Sequence, residues 1–298
     1  MARTRIAEAV KEGRILVSDG AWGTFLHEKG LQPGECPESW CIEHPDDVFE
    51  IAKSYIDAGS DMVETDSFGG TRFKLEHYGL ADRVSEINKA AAEISRKAAG
   101  DEKWVMASIG PTGKLLVMMD VSQEELYNAF KEQAVALAEG GADAICVETM
   151  SDIDEACSAI RAAKENTECE IICTFTFEKK RSGQYRSMMG AGPADAAKAA
   201  IEAGADIIGT NCGNGFEQMI DIVREIRDAV PDTAILVHAN AGLPQTVDGK
   251  VIFPETPEQM AALVPALVQA GADIIGGCCG TTPAHIQAIK HAVEQLRL

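Results

Sequence analysis

Four segments of the chain repeat one pattern: "DAGSDMVETDSFGG" (57–70), "EGGADAICVETMSD" (139–152), "EAGADIIGTNCGNG" (202–215) and "QAGADIIGGCCGTT" (269–282). In each, a helix-like approach ends at Ala-Gly or Gly-Gly, a small residue precedes Asp, and a short apolar run leads into polar residues. Such a unit reads as a helix closed by glycine, a tight turn, a buried strand and a loop. Four further apolar runs alternate with these: "RILVSDGAWGT" (14–24), "KWVMASIGPTG" (103–113), "EIICTFTFEK" (170–179) and "TAILVHANAGLP" (233–244). The stretches between them carry helical spacing, as in "EELYNAFKEQAVALAEGG", "EQMAALVPALVQAGA" and the alanine-rich "GPADAAKAAIEAGA". Eight strands alternating with helices predict an α/β fold, a (β/α)8 TIM barrel filling residues 1–298 as a single domain. A doubly wound open sheet is disfavoured, because "DGAWGT" lacks the third glycine of a dinucleotide-binding turn.

Charge narrows the partners. With 27 basic against 47 acidic residues the chain carries −20, so no nucleic acid and no anionic membrane surface is expected as a ligand. No apolar run approaches the roughly 18 residues of a membrane span. The N-terminal "MARTRIAEAVKEGRI" alternates charge with apolar residues and has no signal-like core, which makes a cytoplasmic location the expectation. The nine cysteines are scattered, unlike the framework of a small secreted domain.

In a barrel of this kind the chemistry sits at the C-terminal ends of the strands. Those ends carry Asp19, Glu64 with Asp66 and Ser67, Ser108, Glu148, Thr176, Asn211 with Cys212, His238 with Asn240, and Cys278 with Cys279. Cys146, Cys157, Cys169 and Cys173 fall inside elements as small packing residues, and Cys36 and Cys41 fall in a loop. Cys212, Cys278 and Cys279 differ, since each follows an apolar strand and is flanked by glycine. A disulfide between neighbours 278 and 279 would force unusual backbone geometry in a reducing compartment. Buried thiols and metal ligands both stay open on spacing alone. Strands 6 and 8 are one neighbour apart, so three sulfurs from their ends can converge on a soft cation such as zinc with a fourth position open.

"GTNCGNG" together with "GGCCGTTPAHI" resembles the zinc signature of the homocysteine S-methyltransferase family. The resemblance extends through "DGAWGT", "ETDSFGGT", "ASIGPTG", "VETMSDIDEA" and "NAGLP", from about residue 15 to residue 290, and is nearest to the homocysteine module of cobalamin-dependent methionine synthase. It implies a barrel that binds Zn2+ through Cys212, Cys278 and Cys279 and methylates homocysteine to methionine. It also implies Asp19 and Glu148 as partners of the substrate ammonium, and Asn240 as a possible fourth ligand without substrate. The backbone around Ala21 and Trp22 and the Thr65–Asp66–Ser67 turn are candidates for the substrate carboxylate; beyond the zinc site no separate catalytic residue is expected.

Physical chemistry agrees with such a site. A free thiol, with a pKa near ~8.5, is mostly protonated at neutral pH, and coordination removes its proton. Three cysteinates make a zinc centre formally anionic, which keeps a bound thiolate electron-rich. Trp22 and Asp66 depart from the family pattern, where methionine and asparagine are usual, which bears on the identity of the thiol. No second barrel and no D-x-H-x-x-G stretch follows residue 290. The expected methyl donor is therefore a methylcobamide carried by a separate corrinoid protein. The alternatives are a small donor such as S-methylmethionine, or a zinc-holding scaffold without turnover. The basic loop "EKKRSGQYRSMMGAG" (178–192) is placed to cover the site or touch a partner.

Overall fold

The computed structural model describes residues 4–247 and 250–296. Residues 1–3, 248–249 and 297–298, which the single-domain expectation includes, lie outside the described residues. Eight strands form the main sheet: β1 (Leu16–Val17), β2 (Met62–Glu64), β3 (Trp104–Ile109), β4 (Ala144–Met150), β5 (Glu170–Phe175), β6 (Ile207–Asn211), β7 (Ala234–Ala239) and β8 (Ile274–Gly277). Their order is β1-β8-β7-β6-β5-β4-β3-β2 and all pairings are parallel. Three bonds bridge β1 and β2 where no ladder forms: Asp61 N–H to Val17 O (2.6 Å), Val17 N–H to Asp61 Oδ2 (2.9 Å) and Glu64 N–H to Asp19 Oδ2 (2.7 Å). Around the strands lie α1 (Pro45–Asp57), α2 (Val84–Ala99), α3 (Gln123–Glu139), α4 (Ile153–Asn166), α5 (Pro193–Ala203), α6 (Phe216–Ala229), α7 (Pro257–Ala270) and α8 (Pro283–Gln295), one after each strand. The fold is the expected (β/α)8 barrel.

The repeat now has a physical meaning. Its glycines, Gly59, Gly141, Gly204 and Gly271, all have φ between 98° and 112°, the left-handed conformation that ends α1, α3, α5 and α7. The Asp two residues on opens the next strand and grips the strand before it. Asp61, Asp143, Asp206 and Asp273 accept the N–H of Val17, Val105, Ile171 and Ile235 at 2.8–2.9 Å, and each returns its own N–H to the carbonyl of that same residue. Each carboxylate also meets a cation: Lys290, Arg96, Lys164 and Arg227 respectively. The chain is thus four β-α-β-α units, each with one acidic clamp.

Because strand side chains alternate in and out, every second residue faces the barrel axis. The lower interior is apolar, with Leu16, Met62, Met106, Ile172, Ile207, Leu236 and Ile274 in one buried cluster. The helix Ile6–Lys11 closes this end, where buried Glu170 accepts the N–H groups of Ile6 and Ala7. Two residues further up, the same register brings polar groups: Ser18, Glu64, Ser108, Thr174 and His238, all buried. Small antiparallel hairpins elaborate the loops after β5 (Glu178–Lys179 with Tyr185–Arg186) and β7 (Gln245–Val247 with Lys250–Ile252). Among the described residues no helix is long and apolar enough to cross a membrane.

Candidate active site

A cavity of about 270 Å³ opens at the C-terminal end of the barrel. One wall holds Cys212, just past β6, with Cys278 and Cys279 just past β8. Cys212 Sγ lies 4.0 Å from Cys279 Sγ, Cys278 Sγ lies 3.9 Å from Cys279 Sγ, and all three sulfurs fall within 4.8 Å of one another. Tetrahedral zinc–thiolate bonds of about 2.3 Å put sulfurs roughly 3.8 Å apart, so the spacing suits that ion. Their backbones are fixed across the strand ends: Cys212 N–H donates to His238 O (2.9 Å), Cys278 N–H to Ala239 O (2.7 Å), and Ala241 N–H to Cys279 O (3.0 Å). Cys212 adopts φ +58°, a conformation costly for a residue with a Cβ and typical of functional turns.

The protonation pattern of the three sulfurs shows what the cluster lacks. Hydrogen bonds from Cys278 and Cys279 bring the Cys212 thiol down to about 3, while giving up those protons is so unfavourable that Cys279 is pushed up to about 12 and Cys278 well above its usual value. Three sulfurs this close resist losing all their protons together. A divalent cation replaces both protons at once. Asn240, directly past β7 and 3% exposed, has its Oδ1 buried without a hydrogen-bond partner. Amide oxygen and nitrogen exchange by a half-turn of the side chain, so Asn240 fits a fourth-ligand position.

The rest of the cavity is acidic. Glu64, Asp66, Glu148 and Glu38 line it and none is more than 7% exposed. Burial raises Glu148 to about 7, against a lowering hydrogen bond from Ser108. Glu64 is raised well above the carboxylate range by burial, then by Glu148 and Asp19; Asp66 is raised by burial and then by Glu38. Glu64 Oε1 has no hydrogen-bond partner and faces His238 Nδ1 at 3.6 Å; the Nε2 of that imidazole is also unpartnered. Burial drives His238 down to about 3, so the imidazole is neutral and cannot balance the carboxylates.

Local structure explains these positions. A register shift in β4 between Val147 and Met150, with Thr149 at φ +60°, marks the place where Glu148 turns to the cavity. Asn211 at the top of β6 fixes the bulge, donating to Glu148 Oε2 (3.1 Å) and Thr149 Oγ1 (2.7 Å) and accepting the Thr149 N–H (2.9 Å).

The sequence candidates divide into two groups. Trp22, Thr65, Asp66 and Glu148 line the cavity with the three cysteines. Asp19 sits behind the wall, fully buried, its Oδ2 accepting the Trp22 indole N–H (2.9 Å) and the Glu64 N–H; burial raises it to about 6. Ala21 lines the cavity, but its N–H is taken by Thr281 Oγ1 (3.1 Å). Ser67 is fully buried and braces β2 against β3 by donating to Ser108 O (2.7 Å). Glu64 and His238 stood among the strand-end residues without a role, and alternation from Met62 and Leu236 is the signal that places them inside. Glu38, on the loop before α1, had no such signal. Cys36 and Cys41 are buried, their thiols donating to Glu38 Oε2 and to Asp66 O, both at 3.3 Å.

Parallel strands, surrounding helices and a thiol cluster with acidic residues at the C-terminal mouth define a catalytic (β/α)8 barrel. The family model for homocysteine S-methyltransferase matches residues 16–293. Methionine synthase of Mycobacterium tuberculosis (strain ATCC 25618 / H37Rv) is 32% identical over 305 residues, covering 95% of this chain and 25% of that protein. Methionine synthase of Mycobacterium leprae (strain TN) is 31% identical over 303 residues, covering 95% and 24%. The chain thus spans about a quarter of the length of these relatives. The metallated form of the homocysteine methyltransferase MmuM from Escherichia coli superposes with a TM-score of 0.79 at 22% identity, over 95% of this chain and 98% of that one, a likeness of fold. The chain belongs to the homocysteine S-methyltransferase family.

Proposed function

We propose that the chain is a zinc-dependent thiol S-methyltransferase whose acceptor is homocysteine. The observation that carries the reading is the convergence of Cys212, Cys278 and Cys279 beside four carboxylates with no internal cation. When bound, zinc supplies a deprotonated, nucleophilic thiol at neutral pH. The protein's residues do the rest. Cys212, Cys278 and Cys279 would hold the ion, with Asn240 as a further donor when substrate is absent. Glu148 and the unpartnered Oε1 of Glu64 receive the substrate ammonium, giving the acidic wall the positive charge it lacks. Asp19 acts from behind, aligning Glu64 through its backbone N–H and holding the Trp22 indole at the mouth. Thr65 and Asp66 border the amino-acid end. This orientation leaves the sulfur directed to the opening, where in-line approach by a methyl group is the remaining requirement.

The mouth favours a donor carried by a protein. Val117, Met118, Met119, Met188 and Val251 are 63–89% exposed and lie on the loops after β3, β5 and β7, the second of which also carries Lys179, Lys180 and Arg181. Exposed apolar side chains gathered on one face mark contact surfaces, and a small donor has no need of them. A methylcobamide-bearing corrinoid protein is the donor we assign, and the cytoplasm is the compartment consistent with a reduced thiol cluster. A donor comparison tests this: methyl transfer to homocysteine with a methylated corrinoid protein and none with S-methylmethionine is expected. Full activity with S-methylmethionine alone contradicts the donor assignment.

A further inference from the structure

The motif "GGCCGTTPAHI" contains one residue with no role in the chemistry above, His285. It is 7% exposed, sits in the first turn of α8, and points away from the cavity. Its Nε2 lies 3.0 Å from Glu255 O, a carbonyl that only accepts, so the proton is on Nε2. Nδ1 is then the acceptor, taking the Thr282 N–H (3.2 Å) and the Thr282 hydroxyl (2.9 Å). Both ring nitrogens are satisfied, each by a different segment.

The segment it holds, Phe253–Glu255, ends the loop after β7 and touches the start of that loop as well as the loops after β6 and β8, the three that carry the proposed zinc ligands. A Cβ on Gly280, directly after the cysteine pair, would meet the Phe253 side chain at 2.3 Å. A Cβ on Gly242, two residues past Asn240, would meet Glu255 Cγ at 2.8 Å, and one on Gly215, three past Cys212, would meet Glu255 Oε1 at 3.1 Å. A hydrogen-bonded circuit closes the arrangement: Glu255 N–H to Ala241 O (3.0 Å), Ala241 N–H to Cys279 O (3.0 Å), then along the chain to Thr282 and through the imidazole back to Glu255.

We infer that His285 is a positioning residue: it fastens the Phe253–Glu255 segment, the end of the loop after β7, against the loops after β6 and β8 and the start of its own loop, and so holds the three sulfurs at ligand spacing. The inference rests on the zinc reading above. Cysteine side chains on two glycine-rich loops, with Asn240 on a third, have little packing of their own to fix them, and outer groups that orient ligands commonly govern metal affinity by 10- to about 100-fold.

The test measures zinc release to a chromogenic chelator and the sulfur-to-metal absorption of the cobalt(II)-substituted protein, for the full chain. His285→Ala should release zinc at least about 10-fold faster than wild type and shift the cobalt spectrum, whereas His285→Gln, whose amide can still donate to Glu255 O, should stay within about 3-fold. A merely structural role would lower the melting temperature of the metal-free protein and leave the cobalt spectrum of the folded fraction unchanged. Should His285→Ala fail to fold, His285→Asn takes its place, being too short to span both partners, with the same expected loss. Zinc release and cobalt spectra equal to wild type in the non-conservative variant overturn the inference. If wild type itself binds neither metal, it is the zinc reading that fails.

Discussion

The two halves of the barrel interior are built by one alternation of side chains and do opposite things. Below, Leu16, Met62, Met106, Leu236 and Ile274 fill the axis and exclude water. Above, the next inward positions of β2, β3 and β7 are Glu64, Ser108 and His238, and the cysteines crown β6 and β8. The lower half is apolar and packs on itself. The upper half is not: Glu64 Oε1, His238 Nε2 and Asn240 Oδ1 are buried without partners, and three sulfurs within 4.8 Å of one another cannot all ionise without a cation between them. Stability is therefore concentrated in one half, and unmet valence, the capacity to bind, in the other.

The largest effect that separates the halves is on metal. Cys279→Ser should take zinc from near one per chain to near zero, with methyl transfer lost alongside it, while the melting temperature of the metal-free protein stays close to wild type. Metal analysis beside calorimetry checks this; retained zinc would break the division. A smaller loss is expected at the amino-acid end. Glu148→Gln keeps the shape and removes the charge, and loss of a charged hydrogen bond worth about 1.5–3 kcal/mol should raise the KM for homocysteine by roughly 10- to 100-fold. Steady-state kinetics with kcat nearly unchanged would place the residue in binding.

In the lower half the order reverses. Leu236→Ala should cost about 2–5 kcal/mol in urea denaturation, through lost burial and a residual cavity. The folded fraction should bind zinc as before. A variant that loses metal with little loss of stability would show that the halves are not separable.

The smallest effect is on pH. Glu148 titrates near 7 in the folded metal- and substrate-free protein, above its unfolded value, chiefly because of burial. The folded state then binds more protons than the unfolded state between those values. Its contribution is full below the unfolded pKa of about 4.3 and is lost as pH rises through 7. The urea midpoint should fall from pH 5 to 8, and Glu148→Gln should flatten that fall.

Much of this was legible in the sequence because the same physics is written four times. A left-handed glycine and a clamping Asp must recur wherever a helix turns into the next strand, so the (β/α)8 order follows from the repeat itself. The three cysteines stood out as glycine-flanked thiols at strand ends, but their spacing left packing and metal binding open, and it was the family resemblance that pointed to a metal. Sequence position put Glu148 and Asp66 at strand ends, where both line the cavity, but gave no warning that Asp19 would be enclosed, with the Trp22 indole N–H donating to its carboxylate. Glu38 was beyond reach: it arrives from a loop outside the repeat, and its place is fixed by the Gly69 N–H, 31 residues away. The loop 178–192, a basic cover in the sequence, is anchored by a short hairpin with Tyr185 buried.

X-ray absorption at the zinc edge, on the full chain with and without homocysteine, addresses the three-sulfur site at its root. Three sulfurs and one lighter atom are expected in the free enzyme, and four sulfurs once homocysteine is added. Fewer than three sulfurs at the outset, or a ligand set that does not change with homocysteine, would contradict both the metal centre and the acceptor assigned to it.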